Sequence, residues 1–454
     1  MPQKSNLLRQ LAKKTLILQL VFLFLFATQT SLAQTHDDNS AWGNWRGPFG
    51  TGTALEQSQP TTSWSSTENI KWKTKIQGLG HSSPIVVGKN VFVTTAIATG
   101  KPLAPRYSGR PGAHDNLPVT SAYKFVALCL DRDTGKIRWQ KSLAEKIPLE
   151  GAHKSASLAS ASPVADANHI VAFFGSHGVF CLNPDGELLW SKNLGEMHSK
   201  HGHGEGSSPV LMDGILAINW DHEEQSFVTA LDVETGNELW RLDRDEVTSW
   251  STPLVVKHDG VKQLIVCGTE RVRAYELETG KILWECGGMS ANIVATPVHA
   301  NGVVFVGSSY EKKVLLAIKL SGASGDITNS DKVLWRRTRG TPYVPSPLLV
   351  DGGLYFLAHY QNILTRIDAM TGKEAPGPMR LGELGSIYAS PVSAGGNLFV
   401  TDLDGTTMVI TTGDDPRLVA VNRIDEPVSA SLAIAGNQIF LRSHEHLYCI
   451  ADSK

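Results

Sequence analysis

The sequence predicts an all-β fold: an eight-bladed β-propeller of four-stranded antiparallel blades, with the ring closed by an N-terminal strand in the last blade. Three observations carry this. The first is a recurring phrase, ALDVETGNELW from Ala230 to Trp240, echoed by ALCLDRDTGKIRW at Ala127–Trp139, VFCLNPDGELLW at Val179–Trp190 and AYELETGKILW at Ala274–Trp284. In the copies apolar residues end a strand, an Asp or Asn (Glu276 in the last) opens a turn, and a Gly supplies the positive φ that a tight hairpin needs. Weaker copies run from Ala317 to Trp335, where the turn is stretched, and from Ile367 to Lys373. The second observation is a Ser-Pro or Thr-Pro pair before each copy. The prolines stand at 84, 163, 209, 253, 297, 347 and 391, so successive spacings run 79, 46, 44, 44, 50 and 44, and Ala430-Ser431-Leu432 supplies an eighth start without proline. Repeats of this length, each holding several short strands, are the signature of a propeller. The third is NIKWKTKI at Asn69–Ile76, whose alternation and Trp72 match the end of a repeat that has no beginning of its own. Pairing it with strands from 432–453 would close the circle and remove an open sheet edge.

Taken in order, residues 1–33 read as a signal peptide. Lys4, Arg9, Lys13 and Lys14 precede an apolar run from Leu16 to Ala27, and Ser31-Leu32-Ala33 offers a small-x-small cleavage site after Ala33. The run falls short of the roughly 20 residues a membrane span needs, and no later segment is apolar enough to span. A soluble periplasmic or secreted protein is expected. Residues 34–68, with WGNWRGP at Trp42–Pro48, are expected to form an N-terminal strap, and residues 69–454 a single propeller, 69–76 completing the blade formed by 432–453. The long first interval reflects an insertion from Ala96 to Ser121 that carries Arg106, Arg110, His114 and Asp115; a surface loop is its plainest reading.

The net charge of −2 gives no electrostatic footprint for nucleic acid, so none is expected as a partner. Five cysteines argue against a disulfide framework: Cys129, Cys181 and Cys449 occupy equivalent repeat positions, far apart in a ring, and read with Cys267 as small buried hydrophobes, while Cys286 follows a repeat Trp and is expected nearer the surface.

A propeller places binding residues on the loops leading into each innermost strand, around the axial channel mouth. The Ser/Thr-Pro marks therefore locate the candidates: His81; His153 and Lys154; His203 and Glu205; Arg244, Glu246 and Trp250; Asn292; Arg339 and Tyr343; and Tyr388. The densest cluster, His198-x-x-His201-x-His203-x-Glu205, mixes imidazole with carboxylate, a chemistry suited to Zn²⁺ or another divalent ion, with His201, His203 and Glu205 as ligands. Its alternative is a solvated Gly-rich loop. Arg244, Asp245 and Glu246 read either as ligand-orienting charges beside a stacking Trp250 or as an ion pair between loops.

The repeated A-x-D-x-x-T-G-x-x-x-W phrase with its Ser-Pro strand starts resembles the PQQ-like, or quinoprotein-type, propeller repeat shared by quinoprotein alcohol dehydrogenases and BamB-type outer-membrane assembly factors. WGNWRGPFGTG, DHEEQSFVTALD and GTPYVPSPLL resemble the exported planctomycete-type PQQ-binding-like propeller proteins, and the likeness covers nearly all of residues 42–452. It implies a girdle of tryptophans between blades, here Trp72, Trp139, Trp190, Trp240, Trp284 and Trp335. In the dehydrogenases it implies pyrroloquinoline quinone (PQQ) with Ca²⁺ held by Glu, Asn and Asp, an Asp base, and in many a disulfide between adjacent cysteines. This chain has no adjacent cysteines and no matching ligand triad. The expectation is an exported, monomeric binding or scaffolding protein that engages a small ligand or a periplasmic protein at its channel mouth. The alternative is a PQQ-dependent alcohol or sugar dehydrogenase with an altered cofactor site. Fold is inherited more securely than reaction.

Overall fold

A computed structural model describes residues 42–358 and 361–452. The expected signal peptide and the first residues of the strap lie outside the described residues. Within them the chain is all-β, and the only helical turns are the three-residue 3₁₀ turns Gly175–His177 and Lys200–Gly202. No helix among the described residues is long and apolar enough to cross a membrane.

Eight sheets of four or more strands follow one another along the chain, seven with four strands and one with five, and a small two-stranded sheet joins Asn116–Leu117 to Ala152–His153. Inside each sheet the strands run antiparallel in chain order, with two exceptions. Ile70–Lys75 joins the sheet made by Ala433–Ala435, Gln438–Arg442 and His446–Ile450, pairing Trp72 with Cys449. The five-stranded sheet takes its extra strand, Gly325–Asp326, from the stretched turn of the fifth repeat; it lies parallel to Ile282–Gly287.

The Ser/Thr-Pro pairs have a physical reason. Ser83 N–H donates to Ser162 Oγ, Ser162 N–H to Ser208 Oγ, and Ser208 N–H to Thr252 Oγ1, at 2.9–3.0 Å. Thr296 donates to Ser346, Ser346 to Ser390, Ser390 to Ser431, and Ser431 returns to Ser83 Oγ at 3.0 Å. Proline has no N–H to give, so the residue before it supplies the last donor before the first strand, and its hydroxyl accepts from the preceding sheet. These bonds join first strands that have no ladder between them. Thr296 Oγ1 alone of the series is buried without a partner.

The tryptophans tie the outer edges. Trp72, Trp139, Trp190, Trp240 and Trp335 each donate their indole N–H to a carbonyl in the Gly-bearing turn of the next repeat, at 2.7–2.9 Å. Each ring lies flat against the Gly of that turn. A Cβ on Gly236, which sits at φ +70°, would meet the Trp190 ring at 2.6 Å. Trp284 departs from this pattern: it is fully buried and donates to Gln263 within its own sheet, because the next turn is the stretched one.

Cys286, expected nearer the surface, is buried like the other four cysteines, and all five are free. Its strand partner is Val272, and it packs in the apolar layer with Met289 and Ile293.

The segment from Trp42 to Thr53 crosses the end of the assembly where the first strands finish. Trp42 bridges Val86, Asn44 exchanges hydrogen bonds with Leu211, and Thr53 donates to the Leu349 carbonyl. Arg46 is fully enclosed and donates to the carbonyls of Pro347, Pro391 and Thr51. Satisfying a buried guanidinium with carbonyls alone is costly, and burial pulls its pKa down to about 9.

Candidate functional site

The opposite end, where the first strands begin, opens into a cavity of about 310 Å³ that is continuous with solvent. Ser83, Ser162, Ser208, Thr252, Ser390 and Ser431 form its inner wall. Above them sit side chains from the loops entering each first strand. His81, His153, His203, Trp250, Asn292, Tyr343 and Tyr388, seven of the residues picked out in the sequence, all line this one cavity. Trp45 of the strap closes it from beneath and also faces a second cavity at the far end.

Five expected residues are placed elsewhere. Lys154 is exposed and pairs with Asp115 at 2.8 Å. Arg244 is buried, donating through Nε and Nη2 to Asp221 at 2.7 and 3.1 Å and through Nη1 to the Tyr275 hydroxyl at 2.6 Å. Burial pulls its pKa down, but the Asp221 charge and Tyr275 outweigh this and hold it firmly protonated. Glu246 is buried against Arg273 at 3.1 Å and accepts the N–H groups of Glu270 and Arg271. Both are buried ion-pair joints rather than ligand-orienting charges, but Arg244 makes its joint from the end of the strand Glu238–Arg244 and not from a loop. Arg339 lines a separate recess beside the girdle residue Trp335. Glu205 points away from the mouth: its carboxylate accepts from Ser176 N–H at 2.8 Å and Ser176 Oγ at 2.5 Å. Although the residue keeps some exposed surface, the carboxylate is enclosed against Gly175, and burial raises its pKa to about 7.

The sequence missed three contributors. Trp45 looked like packing only. Tyr310 stacks on Tyr343, with ring centroids 6.2 Å apart. His114 comes from the 96–121 insertion, whose strands Asn90–Arg106 and Val119–Asp131 prolong the first sheet and whose tip folds back over the mouth. The pairing of Asn116 with His153 fixes that return.

Among the described residues, the wall of this cavity contains no Asp, Glu, Lys or Arg. Two of its imidazoles are held toward the neutral form: burial, with His444 and Arg442 nearby, lowers the His81 pKa to about 3, and burial beside other histidines lowers that of His203 to about 4. Neutral aromatic faces, hydroxyls and one amide suit an uncharged or weakly polar ligand.

This donor set also tests the cofactor the resemblance implied. A quinone bearing carboxylates needs cationic partners, Ca²⁺ needs several oxygen donors including carboxylates, and the dehydrogenase reaction needs a free carboxylate base. The wall offers none of these, so PQQ with Ca²⁺ does not fit the residues present. Among the described residues, no group of three or more His, Cys, Asp or Glu side chains already has the arrangement of a metal site.

The repeat phrases, the Trp–Gly girdle and the hydroxyl links define a PQQ-like β-propeller repeat protein. Residues 123–376, more than half of the chain, match the family described as outer membrane protein assembly factor BamB, and the chain belongs to that family. It is 27% identical over 368 residues to the outer membrane protein assembly factor BamB of Yersinia pestis, covering 76% of this chain and 84% of that one. The Escherichia coli strain K12 protein of the same name is 27% identical over 374 residues, covering 77% and 87%. Among solved structures, BamB from Moraxella catarrhalis superposes with a TM-score of 0.53 at 12% identity, covering 78% of this chain and 98% of that chain. Quinohemoprotein alcohol dehydrogenase from Comamonas testosteroni gives 0.63 at 9% identity, covering 93% and 82%. At such identities these two likenesses speak to fold alone.

Proposed function

We propose that this chain is an exported, eight-bladed binding or scaffolding propeller that engages a small uncharged ligand or a protein segment at its channel mouth. Eight sheets, the seating of Ile70–Lys75 beside His446–Ile450, and the Ser431–Ser83 bond support reading the fold as one closed ring. The amino-terminal charge and apolar pattern supports export with cleavage after Ala33. Relatives named for outer membrane protein assembly support a partner on the periplasmic side.

The observation that carries the proposal is the neutral, aromatic and hydroxyl-lined mouth, ringed by side chains from many loops yet lacking the charged groups that redox or hydrolytic chemistry would require. Trp250 is the centrepiece: its indole N–H is anchored on the Gly204 carbonyl at 2.8 Å, which leaves its ring to face the cavity. The test compares species retained by the purified wild-type chain from a periplasmic extract with those retained by Trp250→Ala and Tyr343→Ala, read by mass spectrometry. The expected result is a species lost from both variants. Identical retention in all three would remove the mouth from the binding surface.

A further inference from the structure

Four histidines from three separate stretches meet at the rim of the mouth. The His114 ring lies 4.7 Å from that of His203 and 5.5 Å from that of His201, and the His201 and His203 rings are 5.3 Å apart. His153 stands beside them, 4.9 Å from His203.

Their hydrogen bonds set the tautomers. His114 Nδ1 lies 2.8 Å from the Gly112 carbonyl, and His201 Nδ1 2.9 Å from the Pro111 carbonyl. A carbonyl only accepts, so each Nδ1 carries the proton and each neutral ring keeps its Nε2 lone pair. His203 is hydrogen-bonded to the His114 backbone, and its Nε2 is buried without any partner. One ring nitrogen tied to a backbone acceptor and the other left bare is the usual state of a metal-ligating histidine. His153 differs, because the Ser155 N–H donates to its Nδ1.

We propose that His114, His201 and His203 form a three-imidazole site for a divalent transition metal of the Zn²⁺ type, linking the insertion to the channel mouth. Metal–nitrogen distances of about 2.0–2.1 Å place tetrahedral imidazole centroids about 5 Å apart, and the three observed spacings bracket that value. Among the described residues no three such donors are placed to hold a metal ion as the rings stand, so binding requires the imidazoles to turn from their present orientations. A three-histidine set leaves a fourth position open, and His114 and His203 both face the cavity.

The surrounding backbone is shaped for this contact. His201 sits at φ 58°, a left-handed conformation uncommon for a residue with a side chain. A Cβ on Gly112 would come within 2.6 Å of His201 Nδ1, and Asn116 Nδ2 donates to the His201 carbonyl at 2.7 Å. Glu205, the carboxylate that the sequence suggested as a ligand, takes no part.

The experiment is calorimetric titration of the full mature chain with Zn²⁺, paralleled by Co²⁺ and its visible absorption. One equivalent is expected, with the intense bands of four-coordinate Co²⁺. His114→Ala, at an exposed position and with its fold checked by circular dichroism, is expected to weaken binding at least about 100-fold, as is His203→Ala. Glu205→Gln is expected to bind as wild type. No stoichiometric metal at micromolar concentration, or affinity unchanged in both histidine variants, overturns the site. Neither outcome touches ligand retention through Trp250 and Tyr343, which is read separately.

Discussion

Two loops of this protein carry similar letters and opposite fates. His198–Glu205 and Arg244–Trp250 both precede a Ser/Thr-Pro pair, and both mix cationic, acidic and aromatic side chains. The first delivers His203 to the mouth and turns its one carboxylate, Glu205, back onto Ser176. The second delivers only Trp250, while Arg244 and Glu246 are folded into buried joints with Asp221 and Arg273. Charge in these loops therefore holds sheets together, and neutral rings face the cavity. The division follows solvation: an ion can leave water only with a partner in place, whereas an indole or imidazole can wall a cavity without one.

That contrast predicts its largest effect at the Arg244 joint. Asp221→Ala leaves a guanidinium buried with only Tyr275 for company and is expected to cost about 3–5 kcal/mol of stability, measured by urea unfolding. Trp250→Ala, in the same stretch of chain, is expected to cost far less while abolishing retention at the mouth. If the two variants unfold alike, the contrast fails.

A middle-sized effect is expected at the girdle. Gly236→Ala forces a side chain into a left-handed turn and against the Trp190 ring, and is expected to destabilise by roughly 1–3 kcal/mol. Gly214→Ala shares the positive φ but meets nothing within 4 Å, so the gap between the two variants isolates the cost of displacing the tryptophan.

The girdle tryptophans were expected from the resemblance of the repeated phrase, while their partner, the Gly in the turn of the next repeat, needed coordinates. Spacing marked the Ser/Thr-Pro starts, although their purpose, hydroxyls linking unpaired first strands, needed coordinates. The direction of Arg244 was available in principle. It lies two and four residues beyond Leu242 and Trp240 on one strand, so alternation puts it on the girdle face, against Tyr275 of the next sheet. Reading it as a loop residue hid that. His114 and Trp45 were not legible at all. Nothing local in a Gly/Pro-rich insertion or an N-terminal strap says that its tip returns to the axis, because that return is fixed by distant partners such as His153 and Pro391.

The smallest effect separates two enclosed carboxylates by the sign of their pH response. Burial raises Glu205 to about 7. For Glu426 burial also pushes upward, but bonds from Lys73, Ser443, Tyr448 and His446 outweigh it and hold the group at about 2. An unfolded glutamate titrates near about 4.3. Between that value and about 7 the folded chain binds the extra proton at Glu205, so stability falls as pH rises through this window. Between the unfolded value and about 2 the unfolded chain binds the extra proton at Glu426, so stability falls as pH drops. Subtracting the Glu205→Gln melting curve from wild type should leave a decline confined to pH 4.5–7, on the order of a degree or two. The corresponding difference for Glu426→Gln should appear only below pH 4.5. A Glu205 difference that grows toward acid pH would mean that the carboxylate is charged in the fold, facing the histidine rim after all.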